Sequence, residues 1–342
     1  MPRVWCANAK TGFGNFNLAG GRNISMTRKI LVVKTSSLGD IVHNFPAISD
    51  IQKNHPEAFI DWVVEEAYVP LVRLHPGIRR VIPVAQRRWR GQLLSRRTWT
   101  EVGSLRQLFR DEQYDVVIDT QGLLKSALLA VAANGTRHGF DGRSARERIA
   151  AFFYDEKHRV ARDRHAVVRN RELASLALGY RIGSDVEYGI AGSRDDRHNA
   201  GEIVLLHSTS RSDKCWAEEN WVELGQQIES SGGRIVLPWG NAAERLRSQR
   251  IAKTLKQAEV PDTLSMDAVA GLLARCGGVA GLDTGLTHLA AAFGTPVVAI
   301  YVATDPGLTG VFGAKRATNL GGINQAPTAL QAYQALIANG AM

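Results

Sequence analysis

Apolar positions along this chain come in short, often β-branched runs, each closed by small polar residues and followed by a stretch with helical spacing. Strand, polar turn and helix in alternation predict parallel α/β sheets. In the first half the pattern predicts strands at residues 30–33, 60–64, 80–84 and 116–119 and helices at 41–54, 66–74, 105–112, 124–133 and 165–178, the last stopping at Gly179. Residues 137–148 read as a polar loop, and Phe152-Phe153-Tyr154 as a surface aromatic cluster. In the second half strands at 203–206, 235–237, 279–282 and 297–301 alternate with helices at 221–230, 244–257, 287–293 and 330–338.

At 342 residues the chain is long for one core, so two domains are expected. Residues 1–25 are Gly- and Asn-rich without apolar periodicity and read as a disordered extension. Because Met26 directly precedes the first strand, the segment also reads as an upstream start, with a basic arm for anionic surfaces as the lesser alternative. A first domain is expected over 26–183, a polar linker over 184–201, a second domain over 202–326 and a closing helix over 327–342.

Composition narrows the partners. The formal charge is +9, and nine arginines between Arg79 and Arg110 face a single acid, Glu101, so nearly all the excess lies there. Guanidinium forks suit phosphate and carboxylate groups, which points to an anionic partner. No apolar run reaches the ~18 residues that span a bilayer. Cys6, Cys215 and Cys276 have neither disulfide nor metal spacing, and a reducing cytoplasmic setting is expected.

The densest chemistry lies at Asp283-Thr284-Gly285-Leu286-Thr287-His288, between an apolar strand and an Ala-rich helix. Free amides at such a helix start, with the helix dipole behind them, favour a phosphate, and His288 could add a donor. The same residues also read as a plain helix cap. In the first domain Lys34-Thr35-Ser36-Ser37-Leu38-Gly39-Asp40 is a small-residue loop between strand and helix; Asp40 reads as a cleft carboxylate or as an N-cap. Lys214, beside Trp216 and the hydroxyls of Thr209 and Ser210, reads as a phosphate contact or a solvated loop lysine. There is no GxxxxGK[ST] pattern, Gly12-Phe13-Gly14 lacks a dinucleotide fingerprint, and no zinc spacing occurs, so neither cofactor nor metal is expected.

Seven stretches in order carry a resemblance: the 34–40 loop, Trp62-Val63-Val64-Glu65-Glu66, Arg87-Arg88-Trp89-Arg90, Asp119-Thr120-Gln121-Gly122-Leu123, Lys214-Cys215-Trp216, Leu237-Pro238-Trp239-Gly240 and Asp283 to His288. Together they resemble the landmarks of glycosyltransferase family 9 and, within it, of the lipopolysaccharide heptosyltransferases that make the first transfer of the inner core. The resemblance runs from about Met26 to the carboxyl terminus. It implies a GT-B fold, two Rossmann-like α/β/α domains facing across a cleft. It also implies inverting transfer of L-glycero-D-manno-heptose from ADP-heptose to the Kdo of Kdo-lipid A. Residue by residue, Asp40 matches the catalytic base. Asp283, Thr284, Gly285, Leu286, Thr287 and His288 match the donor diphosphate turn, with Lys214, Thr209 and Ser210 as phosphate and sugar contacts and Glu244 as a ribose contact. Ser36, Ser37, Gln121, Arg87, Arg88 and Arg90 match the acceptor side. Cys215 stands where relatives carry a histidine, which leaves the role of that position open.

Two rivals follow from the same residues. A nucleic-acid binder would need a recognition helix or stacking aromatics among the arginines, a pattern that Trp89 and Trp99 do not supply, so no nucleic-acid partner is expected. A related enzyme adding a later heptose fits less well, because the 34–37 loop and the arginines favour an acidic acceptor. Peripheral contact with the anionic cytoplasmic face of the inner membrane is expected on the same ground.

Overall fold

The computed structural model describes residues 28–190, 199–209 and 211–341; the expected extension, most of the second half of the expected linker and Ser210 lie outside them. The first sheet contains β1 (Lys29–Val33), β2 (Phe59–Glu65), β3 (Ile78–Val84), β4 (Gln113–Asp119), β5 (Asn134–Phe140) and β6 (Glu156–His158), in the order β3-β2-β1-β4-β5-β6. The second contains β7 (Asn199–Leu206), β8 (Arg234–Val236), β9 (Ala258–Glu259), β10 (Cys276–Leu282), β11 (Val297–Tyr301) and β12 (Ala317–Gly321), in the order β12-β11-β10-β7-β8-β9. All ten strand pairings are parallel. Counted from its own first strand, each sheet reads 3-2-1-4-5-6, the Rossmann order. Its switch point, where ligands bind in such sheets, lies between β1 and β4 in one and between β7 and β10 in the other.

Central strands are apolar on both faces because helices cover both sides. Ile30 to Val33 are buried, and so is every residue of β10 and β11. Those strands are the ones the hydrophobic pattern locates. β5, β6, β9 and β12 are edge or near-edge strands with polar sequence, and pairing rather than local composition makes them strands. The first third of the loop expected over 137–148 is therefore strand, Arg137 to Phe140 closing β5.

Helices differ from expectation where backbone chemistry intervenes. The run at 41–54 divides into Leu38–Val42 and Phe45–Asn54, with Pro46 in the first turn of the second, where its missing N–H costs nothing. Residues 66–74 form a short 3-10 turn, Glu66–Tyr68, and one helical turn, Val69–Val72. The helix expected at 105–112 begins at Arg96, and a further helix, Gln86–Gly91, precedes it. Met266–Arg275 is a helix that the pattern did not indicate. Ala166–Leu178 ends on Gly179 at φ 77°, a left-handed cap that glycine adopts without strain. Of the aromatic trio, Phe152 is exposed but Tyr154 is buried, its hydroxyl donating to Asp119 at 2.7 Å.

The two sheets meet through helices. Leu38–Val42 of the first packs on Gly285–Ala292 of the second, and buried residues from both join one apolar cluster. Residues just before 191 are anchored on both sides: Arg171 donates to the carbonyls of Gly183 and Asp185, and the Tyr188 hydroxyl donates to that of Phe312. The last helix, Ala329–Ala338, packs on Glu218–Ser230 and the second sheet.

Candidate active site

The loop after β1 is built by hydrogen bonds across the switch point. Lys34 is buried, and its Nζ donates to the Thr120 carbonyl at 2.9 Å. The amide and hydroxyl of Thr35 both donate to Gln121 Oε1, at 2.6 and 2.9 Å. Gln121 Nε2 reaches Ser36 Oγ at 3.5 Å, and Lys125 Nζ donates to the same hydroxyl at 3.1 Å. Gln121 thus supports Ser36. Beneath it Asp119, buried at the end of β4, accepts from the amides of Gln121 and Gly122 and from the hydroxyls of Ser126 and Tyr154. Burial raises the Asp119 carboxyl even against those donors. Its surroundings are those of a structural anchor for the 119–123 turn.

Asp40 sits in the first turn of Leu38–Val42, where its Oδ2 accepts from the Ser37 amide at 3.1 Å and the Ser37 hydroxyl at 3.2 Å. Arg146 grips the same carboxylate with both terminal nitrogens, at 3.2 and 2.5 Å. Burial pushes the Asp40 carboxyl up, but Lys34 and Arg146 outweigh it and hold the group well below the usual carboxylate range. The group is ionised, nearly buried and aimed. The N-cap of this helix is Ser37, so Asp40 is not the cap that the sequence offered: it lies at the third helical position and reaches back to Ser37.

In the second sheet β10 delivers Asp283 to the start of Gly285–Ala292, with Thr284 as N-cap. The amides of Gly285 and Leu286 donate to no protein acceptor among the described residues, leaving two donors at the positive end of the helix. Thr287 Oγ1 donates to the Leu282 carbonyl at 2.7 Å and ties the helix to its strand. Asp283 accepts from Lys214 Nζ at 2.6 Å and from Thr304 Oγ1 at 2.8 Å, with His288 Nε2 at 3.5 Å. Burial opposes ionisation there, but His288, Lys214 and Thr304 outweigh it and depress the carboxyl. A carboxylate so placed repels phosphate, so Asp283 suits holding Lys214 over the turn rather than touching a ligand.

Thr209 lies half-buried beyond β7 at the same switch point. Glu244 opens the helix Ala242–Lys253 beyond β8, and its two oxygens accept from the Gly240 amide and Asn241 Nδ2, each at 2.7 Å. His288, which the sequence offers as a further donor or as a partly buried, satisfied histidine, is buried against Asp283, its ring 4.5 Å from that of His43 in the first domain.

The two loops touch. A Cβ on Gly285 would lie 2.2 Å from Leu38 Cδ2 and 2.6 Å from the Gly39 amide nitrogen; one on Gly39 would lie 3.6 Å from Gly285 Cα. Only glycine fits at 285, whereas a Cβ on Gly39 would make ordinary contact.

The arginines divide into two groups. Arg79 and Arg80 hold the fully buried Asp61, and Arg80 also holds Glu112. Arg88 is held by Glu66 and Glu101, and Glu101 also accepts from Trp89 Nε1 at 2.7 Å. Acids outside 79–110 therefore neutralise part of the excess that the sequence count assigned to that stretch. Arg87 and Arg90 are exposed, with no hydrogen bond or ion pair through their guanidinium groups among the described residues. Their helix is fastened to the site by Gln86, which donates to the Lys125 carbonyl at 3.1 Å. Arg146, Lys125 and Thr304 escaped the sequence reading, since each lies in an unremarkable stretch and gains its partner only through the fold. Among the described residues no three His, Cys, Asp or Glu side chains gather as a metal site.

Residues 102–335 match the family described as glycosyltransferase family 9 (heptosyltransferase). Lipopolysaccharide heptosyltransferase 1 of Escherichia coli strain K12 is 44% identical over 290 residues, covering 83% of this chain and 91% of that protein. Lipopolysaccharide heptosyltransferase 2 of the same strain is 24% identical over 311 residues, covering 82% of this chain and 84% of that one. Among solved structures, the E. coli heptosyltransferase WaaC with ADP superposes with a TM-score of 0.85 at 40% identity, covering 91% of this chain and 99% of that one. A family match over more than half the chain and a relative this similar along most of its length make the chain a member of glycosyltransferase family 9, the heptosyltransferases.

Proposed function

We propose that the chain transfers L-glycero-D-manno-heptose from ADP-heptose to the Kdo of Kdo-lipid A, with inversion at the anomeric carbon. A sugar hydroxyl is a weak nucleophile at neutral pH, so Asp40 takes its proton as the oxygen attacks. The anomeric bond to the diphosphate breaks on the opposite face and ADP leaves. Lys214 and the amides of Gly285 and Leu286 meet the charge that grows on the departing phosphate. Arg146 and Lys34 hold Asp40 in position; because they also depress its basicity, the Arg146 grip has to loosen as the carboxylate takes the proton. Thr209 and Ser210 contact donor phosphate and sugar, and Glu244 the ribose. Ser36, Ser37, Arg87 and Arg90 receive the acidic acceptor, while Arg88 and Gln121 brace that surface.

The observation that carries this reading is the contact of Gly39 with Gly285, which brings the loop that carries Asp40 against a helix start whose first two amides have no protein acceptor among the described residues. The far higher identity to heptosyltransferase 1 than to heptosyltransferase 2 supports the first transfer over a later one. We place the protein on the cytoplasmic face of the inner membrane, a peripheral position supported by the exposed Arg87 and Arg90. Among the described residues no helix is long and apolar enough to cross a membrane. The test is a donor and acceptor screen by mass spectrometry: lipid A with Kdo and a panel of nucleotide sugars should yield one heptose added from ADP-heptose alone. Addition only to an acceptor already carrying heptose would assign the later step.

A further inference from the structure

The helix Arg96–Asp111 turns an unusual stripe outward. Arg96, Trp99, Gly103, Arg106 and Arg110 recur at spacings of three and four, so they share one face, and all are exposed. The opposite face carries Thr98, Leu105, Leu108 and Phe109 inward, and Glu101 is turned to Arg88 and Trp89. At the head of the stripe stands the turn between this helix and Gln86–Gly91, with Leu94 fully exposed at 101% and Leu93 and Trp99 each 59% exposed.

Hydrogen bonds fix that turn. Ser95 N donates to the Gln92 carbonyl, Thr98 Oγ1 to the same oxygen, and Trp99 Nε1 to the Leu93 carbonyl at 2.8 Å. Three large apolar side chains thus stand in water on a hydrogen-bonded turn. A groove joins Leu93 and Trp89 to Lys125 and the exposed Leu128, and Lys125 bonds Ser36 in the catalytic loop.

We infer that Leu93, Leu94 and Trp99, framed by Arg87, Arg90, Arg96, Arg106 and Arg110, form an interfacial face that docks on an anionic lipid bilayer. Charge complementarity selects that occupant: a soluble apolar partner would not need five exposed arginines on the two helices that flank the patch, whereas anionic headgroups surround any side chain that dips below them. Trp99, anchored by its N–H with its ring in solvent, has the geometry of an interfacial indole. The inference rests on the proposed acceptor, whose acyl chains stay in the membrane while its sugar reaches Asp40; the patch directly follows the helix Gln86–Gly91, which carries Arg87 and Arg90.

The test uses the full chain with vesicles of phosphatidylcholine, alone or with about a third phosphatidylglycerol. Co-sedimentation should require the anionic lipid, and the triple variant Leu93→Ser, Leu94→Ser, Trp99→Ser should bind about tenfold less or weaker still. The difference spectrum between wild type and Trp99→Phe should shift to the blue on anionic vesicles. Transfer to a water-soluble acceptor stripped of its acyl chains should be unchanged in the triple variant, while transfer to acceptor in vesicles falls. Equal vesicle binding by wild type and triple variant, or binding indifferent to lipid charge, overturns the inference. So does a wild-type dimer in sedimentation velocity that the variant abolishes, since the face would then serve self-association. Absence of heptose transfer to either acceptor would count against the proposed reaction, and vesicle binding would still decide this one.

Discussion

At the scale of the residue, the main lesson is that charge type is legible in a sequence and charge partnership is not. Arg87, Arg88 and Arg90 are alike in the chain, yet Arg88 is bound by Glu66 and Glu101 while its neighbours are exposed. We expect Arg87→Ala with Arg90→Ala to raise the acceptor KM about tenfold or more and leave ADP binding unchanged. Arg88→Ala should instead lower the melting temperature and change the acceptor KM less. Steady-state kinetics with each substrate varied, beside a thermal melt, separates the two; a larger KM effect from Arg88 would reverse the assignment. Lys34 offers a pH signature. Burial outweighs the attraction of Asp40 and lowers its ammonium from 10.5 to about 8. Between those values the unfolded chain holds a proton that the folded chain has lost. The group therefore opposes folding fully below pH 8, and its opposition is relieved as the pH rises towards 10.5. The unfolding free energy of wild type relative to Lys34→Met should rise across that window, and a flat difference would show that the ammonium is not depressed. Asp40 could be named from the sequence, but Arg146 could not, because 106 residues separate them and only the fold brings the guanidinium to the carboxylate.

At the scale of the element, legibility followed burial. β11 was located at both ends because Val297 to Tyr301 is apolar and fully buried, and its helix predecessor stops at Gly294-Thr295-Pro296. β5 was missed because Asn134-Gly135-Thr136-Arg137-His138 has no apolar pattern, and its extended form comes from pairing with β4. The site depends on an equally non-local relation between two short helices. Gly285→Ala would press a Cβ into Leu38 and the Gly39 backbone, forcing Leu38–Val42 and Gly285–Ala292 apart. Because a misplacement of about 1 Å can cost ~10²-fold, transfer should fall by about that factor. ADP affinity, set within the second sheet, should stay close to wild type. An unchanged rate would mean that the two loops need not touch during the reaction.

At the scale of the molecule, two sheets with the same strand order present their switch points to one another, so the chemistry divides between them. One side supplies an ionised carboxylate with Arg146 and Lys34 beside it, the other a helix start and a lysine. The sequence indicated both loops through their polar turns after apolar strands, while the contact between them required the second sheet to be set against the first. The central claim is that Asp40 is the base and the second sheet alone holds the donor. Single-turnover transfer by Asp40→Asn, with ADP-heptose affinity measured in parallel by calorimetry, tests both halves at once. We expect transfer to fall by ~10²–10⁴-fold with donor affinity within about twofold of wild type; near-normal transfer, or a loss of donor binding that matches the loss of rate, would contradict the account.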